Sequence, residues 1–471
     1  MSESITDEFA NADLGDSRRT RRLCKVSLAL NAAPTASISN ACGGWADTMA
    51  AYRLLNSDDF SAADLLAPHA AKTLERCADQ LCVVVAQDTT EFDFSHMKET
   101  QGLGPLNDEG RRGFFMHSLY AVSEQGLPLG LLDAKIINRD DASFRSTGKR
   151  KQMAIEDKES YRWVEGYRRT TQLAREIPGC EVFSVSDREG DIFEVYADWL
   201  EAKEHEQGAA EWIIRANQNR ALVNVVDGDS DKLFSVLEAA AALGEIEFDV
   251  RAHSGTKKMD GKWVKTKRSA HRVQQVVRAM KITPRTPYRK GKRLKEVSFW
   301  AILAEEGNPA AGEEPVRWLL LTSKEVVTFD DARRIIELYL RRWDIEVFHR
   351  VLKTGCRVER IQLMSAEALI RAVTIYAVVA WRILYFTHLG RECPEMPCGC
   401  VFQDSEWKAA CAVVKRPREK GEPSLEEMIR IVGKLGGHLG RKGDGMPGPQ
   451  CIWQGLARVR DFAIAWDVYQ V

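Results

Sequence analysis

Hydrophobic positions along the chain predict an alternation of strands and helices. The segment LCVVVAQD, which ends at Asp88, is a continuous β-branched run of strand length followed by an acid. The segment EVFSVSD, which ends at Asp187, repeats this pattern further along the chain. Between them, FFMHSLYAVSEQGLPLGLLDAKII predicts two more strands around a Gln-Gly turn. These patterns together predict an α/β fold built on a mixed sheet.

Different patterns flank this predicted core. Up to about residue 65 the chain is helical in pattern, with Asp13 or Asp16 as a cap before an arginine-rich run. From about 222 to 310, short alternating runs such as RVQQVVRAM and VSFWAILAEE predict a β insertion. From Thr328 helical periodicity returns, first as one long helix through Lys353. We therefore predict three domains, with bounds 1–65, 66–360 and 361–471.

The most apolar stretch, from Ala368 to Phe386, is about long enough to span a bilayer. It carries Arg371 and Arg382, which are costly in lipid, so a buried helix is the better interpretation. The first residues, MSESITDEFA, lack the basic and apolar regions of a secretory signal. We therefore expect a cytoplasmic protein without a membrane partner.

The net charge of −1 does not by itself indicate or exclude a polyanionic partner, because an overall balance can hide local surfaces. Within the predicted insertion, residues 253–297 hold fifteen Lys or Arg against Asp260 and Glu296, which leaves +13. We call these residues the basic segment. Their charge is what a nucleic-acid surface requires.

Asp88 and Asp187 each end a predicted buried strand, at the edge of an α/β sheet where ligands usually bind. Two such acids fit hard divalent cations such as Mg²⁺, which prefer oxygen ligands. A pair of ions about 4 Å apart can stabilise both the attacking and the leaving oxygen of a phosphoryl displacement. A third carboxylate would complete such a site.

Glu346 is the candidate for this third carboxylate. On the predicted helix, at about 100° per residue, it lies within about 60° of Tyr339, Arg342 and Lys353. The acid suits a metal ion, the two cations suit a DNA backbone, and the tyrosine suits a phosphate. However, a strand-end Asp is often a turn residue and a charged helix face is often only solvated. Residue types alone leave both interpretations open.

Three segments closely resemble the catalytic motifs of bacterial DDE transposases of the insertion-sequence-four family. They are VVVAQDTTEF, VSDREGDIFEVY and YLRRWDIEVFHRVLKTG. The third reproduces the family's YREK signature in the spacing of Tyr339, Arg342, Glu346 and Lys353. The similarity extends in the same order to FANADLGDSRRTRRL, AAYRLLNS, GFFMHS, WIIRA, VRWLLLTS and GKLGGHLG. It covers most of the chain.

The resemblance implies an RNase H-like catalytic core with a β insertion, an N-terminal helical DNA-binding domain and a C-terminal helical dimerisation region. It implies that Asp88, Asp187 and Glu346 bind two Mg²⁺ or Mn²⁺ ions per active site. These acids would free the transposon's 3′ end, form and reopen a hairpin on the other strand, and drive strand transfer. The implied partners are transposon ends and target DNA, bound by a homodimer at the bacterial nucleoid.

The resemblance also implies DNA contacts. Trp318 stands where the family has a tryptophan that stacks on a flipped base, although a Trp beside three leucines is more often a core residue. Trp343 is a second candidate near that base, although a helix Trp between apolar neighbours usually packs inward. The remaining implied contacts are Arg215, Arg350 (where the family helix often has lysine), and the transposon-end contacts Arg18, Arg19 and Arg22.

Two other functions stay open on the sequence. One is a non-enzymatic DNA-binding regulator, an inactive or domesticated copy that binds ends or sequesters active partners. The other is an RNase H-like nuclease that cuts without joining, which would not need the YREK helix or the flipping tryptophan. The presence of all three acids favours the transposase over the regulator.

Overall fold

The computed structural model describes residues 5–108, 110–141, 153–205, 208–223, 231–250, 252–259, 262–289, 293–309 and 313–469. The side chains of residues 253–267 and of Arg418 lie outside this description, so part of the basic segment does too. The chain forms two compact units. The first unit is Met1–Lys151 with Trp343–Val471, and the second unit is Gln152–Arg342.

The first unit opens with helices and continues with strands. Its elements up to residue 137 are α1 (Ser17–Ala32), α2 (Ile38–Cys42), α3 (Trp45–Leu55), α4 (Ala62–Ala78), β1 (Cys82–Asp93), β2 (Gly104–Pro105), β3 (Arg112–Ser123) and β4 (Pro128–Ile137). Asp16 is the N-cap of α1 and accepts a hydrogen bond from the backbone N–H of Arg18, so the predicted cap is confirmed.

Strand β3 is the centre of the sheet in the first unit, with β1, β2 and β4 antiparallel to it. The predicted hairpin of β3 and β4 is confirmed, and its turn contains Gly126 at a φ of 93°. The prediction that the first strand ends at Asp88 is wrong. Strand β1 continues to Asp93, because Thr89 to Asp93 keep pairing with β3. What changes at Asp88 is burial, since side chains before it are buried and those after it are mostly half-buried.

The second unit contains the predicted second acidic strand and the β insertion. Its elements are α5 (Tyr161–Glu176), β5 (Glu181–Ser186), α6 (Phe193–Glu204), β6 (Glu211–Arg215), α7 (Leu233–Ala239), β7 (Ala242–Val250), β8 (His253–Met259), β9 (Lys262–Arg268), β10 (His271–Ile282), β11 (Phe299–Glu306), β12 (Arg317–Thr322) and α8 (Phe329–Leu340).

The sheet of the second unit mixes both directions. Strand β5 is parallel to β6, and the antiparallel order β6, β12, β11, β10, β7 follows. Strands β8 and β9 form a separate hairpin. The predicted strands RVQQVVRAM and VSFWAILAEE correspond to β10 and β11. Helices and a mixed sheet confirm the α/β class and fit the RNase H-like core with its β insertion.

The prediction of one helix from Thr328 through Lys353 is wrong. Helix α8 ends at Leu340, and the N–H groups of Arg341 and Arg342 bond to carbonyls only three residues back, at 3.1 and 3.0 Å. This tighter turn interrupts the helical register. Helix α9 then covers Trp343–Arg350, and a π-helical turn follows over Val351–Gly355. The apolar periodicity continues on both sides of the break, so the pattern alone could not show it.

The remaining helices of the first unit follow this turn. They are α10 (Ala366–Glu392), α11 (Asp404–Val413), α12 (Leu425–Leu435) and α13 (Pro449–Tyr469). Among the described residues, α10 is the helix long and apolar enough to cross a membrane by composition, and 83% of its apolar window is buried inside the protein. Arg371 donates to the carbonyl of Leu55 at 3.0 Å, and the Arg382 guanidinium lies 4.3 Å from the ring centroid of Phe386. The prediction that this apolar stretch forms a buried helix is therefore confirmed.

A buried charge network fixes the segment before α1 to the core. Glu8 is 1% exposed, accepts a hydrogen bond from Nδ1 of His69, and lies 2.9 Å from Nη1 of Arg76. Nε2 of His69 accepts from the N–H of Leu131 at 3.0 Å, which fixes the neutral tautomer. Burial opposes the ionisation of Glu8, but the bonds from His69 and Arg76 outweigh it and hold its pKa at about 2.

The variant Glu8→Gln is expected to lose pH-dependent stability. Because the pKa of folded Glu8 is about 2 against an ordinary 4.5, its contribution is present above about pH 4.5 and is lost as pH falls toward 2. At pH 7 the variant should unfold with a free energy about 3 kcal/mol lower, since Arg76 loses its buried partner. Urea unfolding between pH 7 and 2 measures both effects. Glu75→Gln, at an exposed position of α4, is the control, and equal pH profiles for wild type and Glu8→Gln would contradict the assignment.

Candidate active site

Asp88 lies where β1 leaves the core of the first unit. Its side chain is 22% exposed, and its Oδ1 accepts a hydrogen bond from the N–H of Thr89 at 2.8 Å. Its Oδ2 lies 3.9 Å from Nδ1 of His349 on α9. The strand therefore holds the carboxylate in a fixed direction while part of it stays accessible.

Glu346 reaches the same region from α9, which packs against β1. It is half-buried and lies one helical turn before His349. Because residues three apart share a helix face, Glu346 is on the side of α9 that faces Asp88. Two of the three predicted acids, Asp88 and Glu346, thus lie on two elements of the first unit that pack against each other.

His349 is a residue that the sequence analysis missed. It is 7% exposed, and its Nε2 lies 3.1 Å from the hydroxyl oxygen of Ser118 on β3. Burial, together with the Lys353 cation, lowers the pKa of His349 to about 3, so the ring is neutral at physiological pH. Its spacing of three residues from Glu346 was a usable signal, but the same spacing fits an ordinary core histidine.

Lys353 lies in the π-helical turn after α9, a kind of turn that is frequent at functional sites. Its Nζ donates to the carbonyl of Glu91 at 2.7 Å and lies 3.2 Å from Oε1 of Glu359. That same oxygen of Glu359 accepts the N–H of Asp93 at 2.9 Å. Lys353, which was predicted to bind the DNA backbone, thus contacts protein groups near the end of β1. The sequence did not predict the role of Glu359 as its partner. Arg350, the last residue of α9, is exposed.

Asp187 directly follows β5 in the second unit, as predicted. It is half-buried, and its Oδ1 accepts the N–H of Glu189 at 2.8 Å, which caps a short 3₁₀ turn over Arg188–Gly190. The structural interpretation of a strand-end Asp as a turn residue therefore holds. It leaves the second carboxylate oxygen, Oδ2, outside this cap.

Around Asp187 the second unit gathers cations and a tyrosine. Burial lowers the pKa of Arg215, at the end of β6, and the charges of Arg188 and Arg342 add to this effect. Burial raises the pKa of Tyr339, and Asp187 raises it further, against the opposing cations Arg342 and Arg215. Arg342 is 7% exposed, with its guanidinium 6.0 Å from the Tyr339 ring centroid. The structure therefore brings the predicted residues Asp187, Arg215, Tyr339 and Arg342 into one electrostatic cluster.

The two candidate base-stacking tryptophans differ in exposure. Trp318 on β12 is half-buried and stacks on Phe248 of β7, with ring centroids 5.4 Å apart and an interplanar angle of 12°. One face of its indole is thus already covered within the second unit. Trp343 opens α9 and is 52% exposed, so the usual inward packing of a helix tryptophan does not occur here.

The three arginines predicted as end contacts lie on α1. Arg18 is 82% exposed in its side chain and pairs with Asp16 at 2.7 Å. Arg19 donates to the carbonyl of Leu14 at 2.9 Å and pairs with Asp59, and Arg22 is half-buried. Arg18 is thus the most accessible of the three.

The basic segment is less positive in three dimensions than its sequence suggests. Several of its described cations form ion pairs with acids that lie outside residues 253–297. These pairs are Arg272 with Glu247 at 2.6 Å, Arg285 with Asp231 at 3.0 Å, Arg289 with Glu194 at 2.6 Å, and Lys295 with Glu204 at 2.5 Å. The count of +13 described a stretch of sequence, whereas the field outside the protein depends on these spatial partners as well.

Models of known protein families match the two ends of the chain. A model described as transposase DNA-binding matches residues 1–60, and one described as the transposase Tn5 dimerisation domain matches residues 378–467. The chain is a Tn5-like transposase. The DNA-binding and dimerisation regions predicted for its ends are supported by these matches.

Neither match includes residues 61–377, where Asp88, Asp187 and Glu346 lie. Among the described residues of this Tn5-like transposase, no group of three or more His, Cys, Asp or Glu side chains is arranged to hold a metal ion. The catalytic roles, the metal ions and the domain bounds at 65 and 360 therefore stay predictions.

The protonation of two histidines offers a test of the site electrostatics. His349, with a pKa of about 3, is expected to show no titration between pH 5 and 8. For His271, the hydrogen bonds with the Ser269 carbonyl and with Glu306 raise the pKa above 6.5, so this ring should titrate at a higher pH than an ordinary histidine. NMR of selectively labelled histidines measures both, with His349→Asn and His271→Asn for assignment. A His349 signal that titrates near pH 6.5 would refute the neutral ring.

Proposed function

We propose that this Tn5-like transposase performs metal-dependent cut-and-paste DNA transposition, with Asp88, Asp187 and Glu346 as its catalytic acids. The observation that carries the proposal is the placement of these carboxylates. Each is half-buried on a strand, strand end or helix, so an ion can still reach it. Residues of the same kind and order form the catalytic motifs of the family that the sequence resembles.

The three acids suit Mg²⁺ or Mn²⁺ by residue type, because carboxylates offer the oxygen ligands that these hard ions prefer. Neutral His349 lies beside Asp88 and adds no positive charge there. Two bound ions would supply stabilisation of charge on the attacking and leaving oxygens of a phosphodiester. Asp88, Asp187 and Glu346 would hold them.

The cations of the second unit suit the DNA phosphates. Arg215 and Arg342 are desolvated and repel each other, so an anion between or beside them would be stabilising. Guanidinium groups bind phosphate oxygens in a bidentate manner, and Tyr339 adds a hydroxyl donor. These residues would orient the scissile phosphate for hydrolysis, hairpin formation and strand transfer.

Trp343, which is exposed, and Trp318 are the candidates for stacking on a flipped base.

The two terminal regions would supply the partners. Residues 1–60 would bind the transposon ends through Arg18, Arg19 and Arg22, and residues 378–467 would pair two copies of the chain. A homodimer on two ends, acting on target DNA at the bacterial nucleoid in the cytoplasm, follows from this proposal. Lys353 and Arg350 would add backbone contacts near the active site.

The variant Glu346→Gln is expected to abolish cleavage while end binding is retained. Loss of a metal ligand removes several kcal/mol of transition-state stabilisation, which corresponds to about 10³-fold or more in rate. Cleavage of DNA that carries the element's own ends, with Mg²⁺, measures the rate, and a gel shift measures binding. Glu337→Gln on α8, where the side chain is 67% exposed, is the matched control and should cleave like wild type.

The same assay separates the alternatives. Unchanged cleavage by Glu346→Gln would contradict the proposed triad. End binding without cleavage by the wild-type protein would favour the DNA-binding regulator. Cleavage without strand-transfer products from a pre-cleaved end would favour the nuclease.

A further inference from the structure

A buried carboxylate follows Asp187 in the second unit. Asp191 ends the 3₁₀ turn that Asp187 begins, and its backbone N–H bonds to the carbonyl of Arg188 at 3.3 Å. The side chain of Asp191 is fully buried. Burial of a carboxylate is costly unless the group is paired and hydrogen-bonded. The partners of Asp191 therefore determine what its burial achieves.

Hydrogen-bond donors from α6 and from the segment after β6 converge on this carboxylate. Its Oδ2 accepts the backbone N–H groups of Asn217 at 2.8 Å and of Gln218 at 3.0 Å. Its Oδ1 accepts the hydroxyl of Tyr196 at 2.6 Å and pairs with the guanidinium of Arg220. Arg220 also donates to the backbone carbonyl of Asp191 at 3.0 Å. These bonds tie Asp191 to the segment that follows β6, and charge makes them stronger than neutral ones.

The two segments that Asp191 connects leave the sheet side by side. Strands β5 and β6 are parallel neighbours, with Ser186 opposite Ile214. The next residue in each strand direction is Asp187 and Arg215, respectively, at the carboxyl edge where α/β sheets usually bind ligands. Asp191 thus joins the turn that begins at Asp187 to the segment that begins after Arg215.

This arrangement holds like charges near one another. Burial lowers the pKa of Arg215, and the positive charge of Arg188, in the turn after Asp187, lowers it further. The turn nevertheless packs directly on the end of β5, since a Cβ atom at Gly190 would lie 2.1 Å from Oγ of Ser186. The bonds of Asp191 oppose the separation that charge repulsion favours.

We propose that Asp191 is a positioning residue, whose buried carboxylate holds Asp187 and Arg215 in a fixed arrangement at the edge of the sheet. The inference rests on the proposed function, in which Asp187 holds a metal ion and Arg215 binds the scissile phosphate. Reactions of this kind depend on exact placement, since a displacement of about 1 Å can cost about 10²-fold in rate. Asp191 acts through the backbone on either side and not by contact with the metal ion or DNA.

The main test is the variant Asp191→Asn, which removes the charge at nearly constant size. It should weaken Mn²⁺ binding about tenfold, within the range for residues that orient metal ligands. Electron paramagnetic resonance of free Mn²⁺ measures this binding on the full chain without catalysis. The Mn²⁺ concentration for half-maximal cleavage of end DNA should rise by the same factor, while a gel shift should show wild-type affinity for the ends.

Two tyrosine variants provide a matched comparison. Tyr196→Phe removes a buried hydroxyl that donates to Asp191, but keeps the ring. Tyr167→Phe removes a comparably buried hydroxyl, which donates to the carbonyl of Ala210 at 3.0 Å, beside the opposite end of β6 from Arg215. Both variants should unfold at a lower urea concentration than wild type, since each loses a buried hydrogen bond. Only Tyr196→Phe should weaken Mn²⁺ binding, and by less than Asp191→Asn.

These outcomes distinguish positioning from a purely structural role. Wild-type Mn²⁺ affinity in folded Asp191→Asn would overturn the inference, as would equal Mn²⁺ affinities for Tyr196→Phe and Tyr167→Phe. If Asp191→Asn does not fold, the tyrosine pair alone decides, because the Tyr196 ring still packs on Trp212 in the phenylalanine variant.

The variant Asp187→Asn separates this inference from the proposed function. Wild-type Mn²⁺ affinity in Asp187→Asn would overturn both. Weakened Mn²⁺ binding in Asp187→Asn together with wild-type binding in Asp191→Asn would overturn the positioning role alone. Weakened Mn²⁺ binding in both variants, with unchanged affinity for the ends, is the result expected if Asp191 positions Asp187.

Discussion

The antiparallel pairing of β1 with β3 is the interaction on which the candidate site of the first unit depends. It runs without interruption from Val83 opposite Ser123 to Asp93 opposite Gly113. A Cβ atom at Gly113 would lie 1.8 Å from the carbonyl oxygen of Phe92, so only glycine lets the two strands stay paired to this end. The pairing places Asp88 directly opposite Ser118.

Several contacts of α9 and the turn after it are made with this pair of strands. Ser118 contacts His349, which faces Asp88, and the carbonyl of Glu91 receives the Lys353 ammonium. A shift of β1 by one residue would turn Asp88 to the opposite face of the sheet, away from His349. The pairing of β1 with β3 therefore determines how Asp88, the neutral ring of His349 and the Lys353 cation are placed.

The two units meet opposite electrostatic requirements. In the first unit, burial keeps His349 uncharged, so this ring adds no positive charge beside Asp88. In the second unit, Arg188 and Arg342 act on Arg215 as like charges and, together with burial, lower its pKa. A neutral ring suits the neighbourhood of a carboxylate that binds a cation, whereas clustered guanidinium groups suit an anion such as a phosphate.

Sequence patterns predicted the elements that depend on local and periodic signals. The strand leading to Asp187, the hairpin around Gly126 and the Asp16 cap all follow from patterns within a few residues. The two-residue turn at Arg341 and Arg342 was missed because apolar positions keep the helical period across it. The ion pairs that offset the positive charge of the basic segment were missed because their acidic partners, such as Glu194, lie far away in sequence. His349 was missed because its neutral state results from burial, which no local pattern reports.

The broken helix changes the meaning of the YREK signature. Tyr339 and Arg342 belong to the second unit with its cationic cluster, and Glu346 and Lys353 belong to the first unit with Asp88. The signature is therefore not one helix face but two pairs with different surroundings. If Lys353 contacts DNA as proposed, a phosphate would compete with the carboxylate of Glu359, 3.2 Å away, for the same ammonium. Since the Lys353 side chain is 27% exposed, solvent screens this pair only in part, and the exchange of one anion for another costs less than burying a cation without a partner.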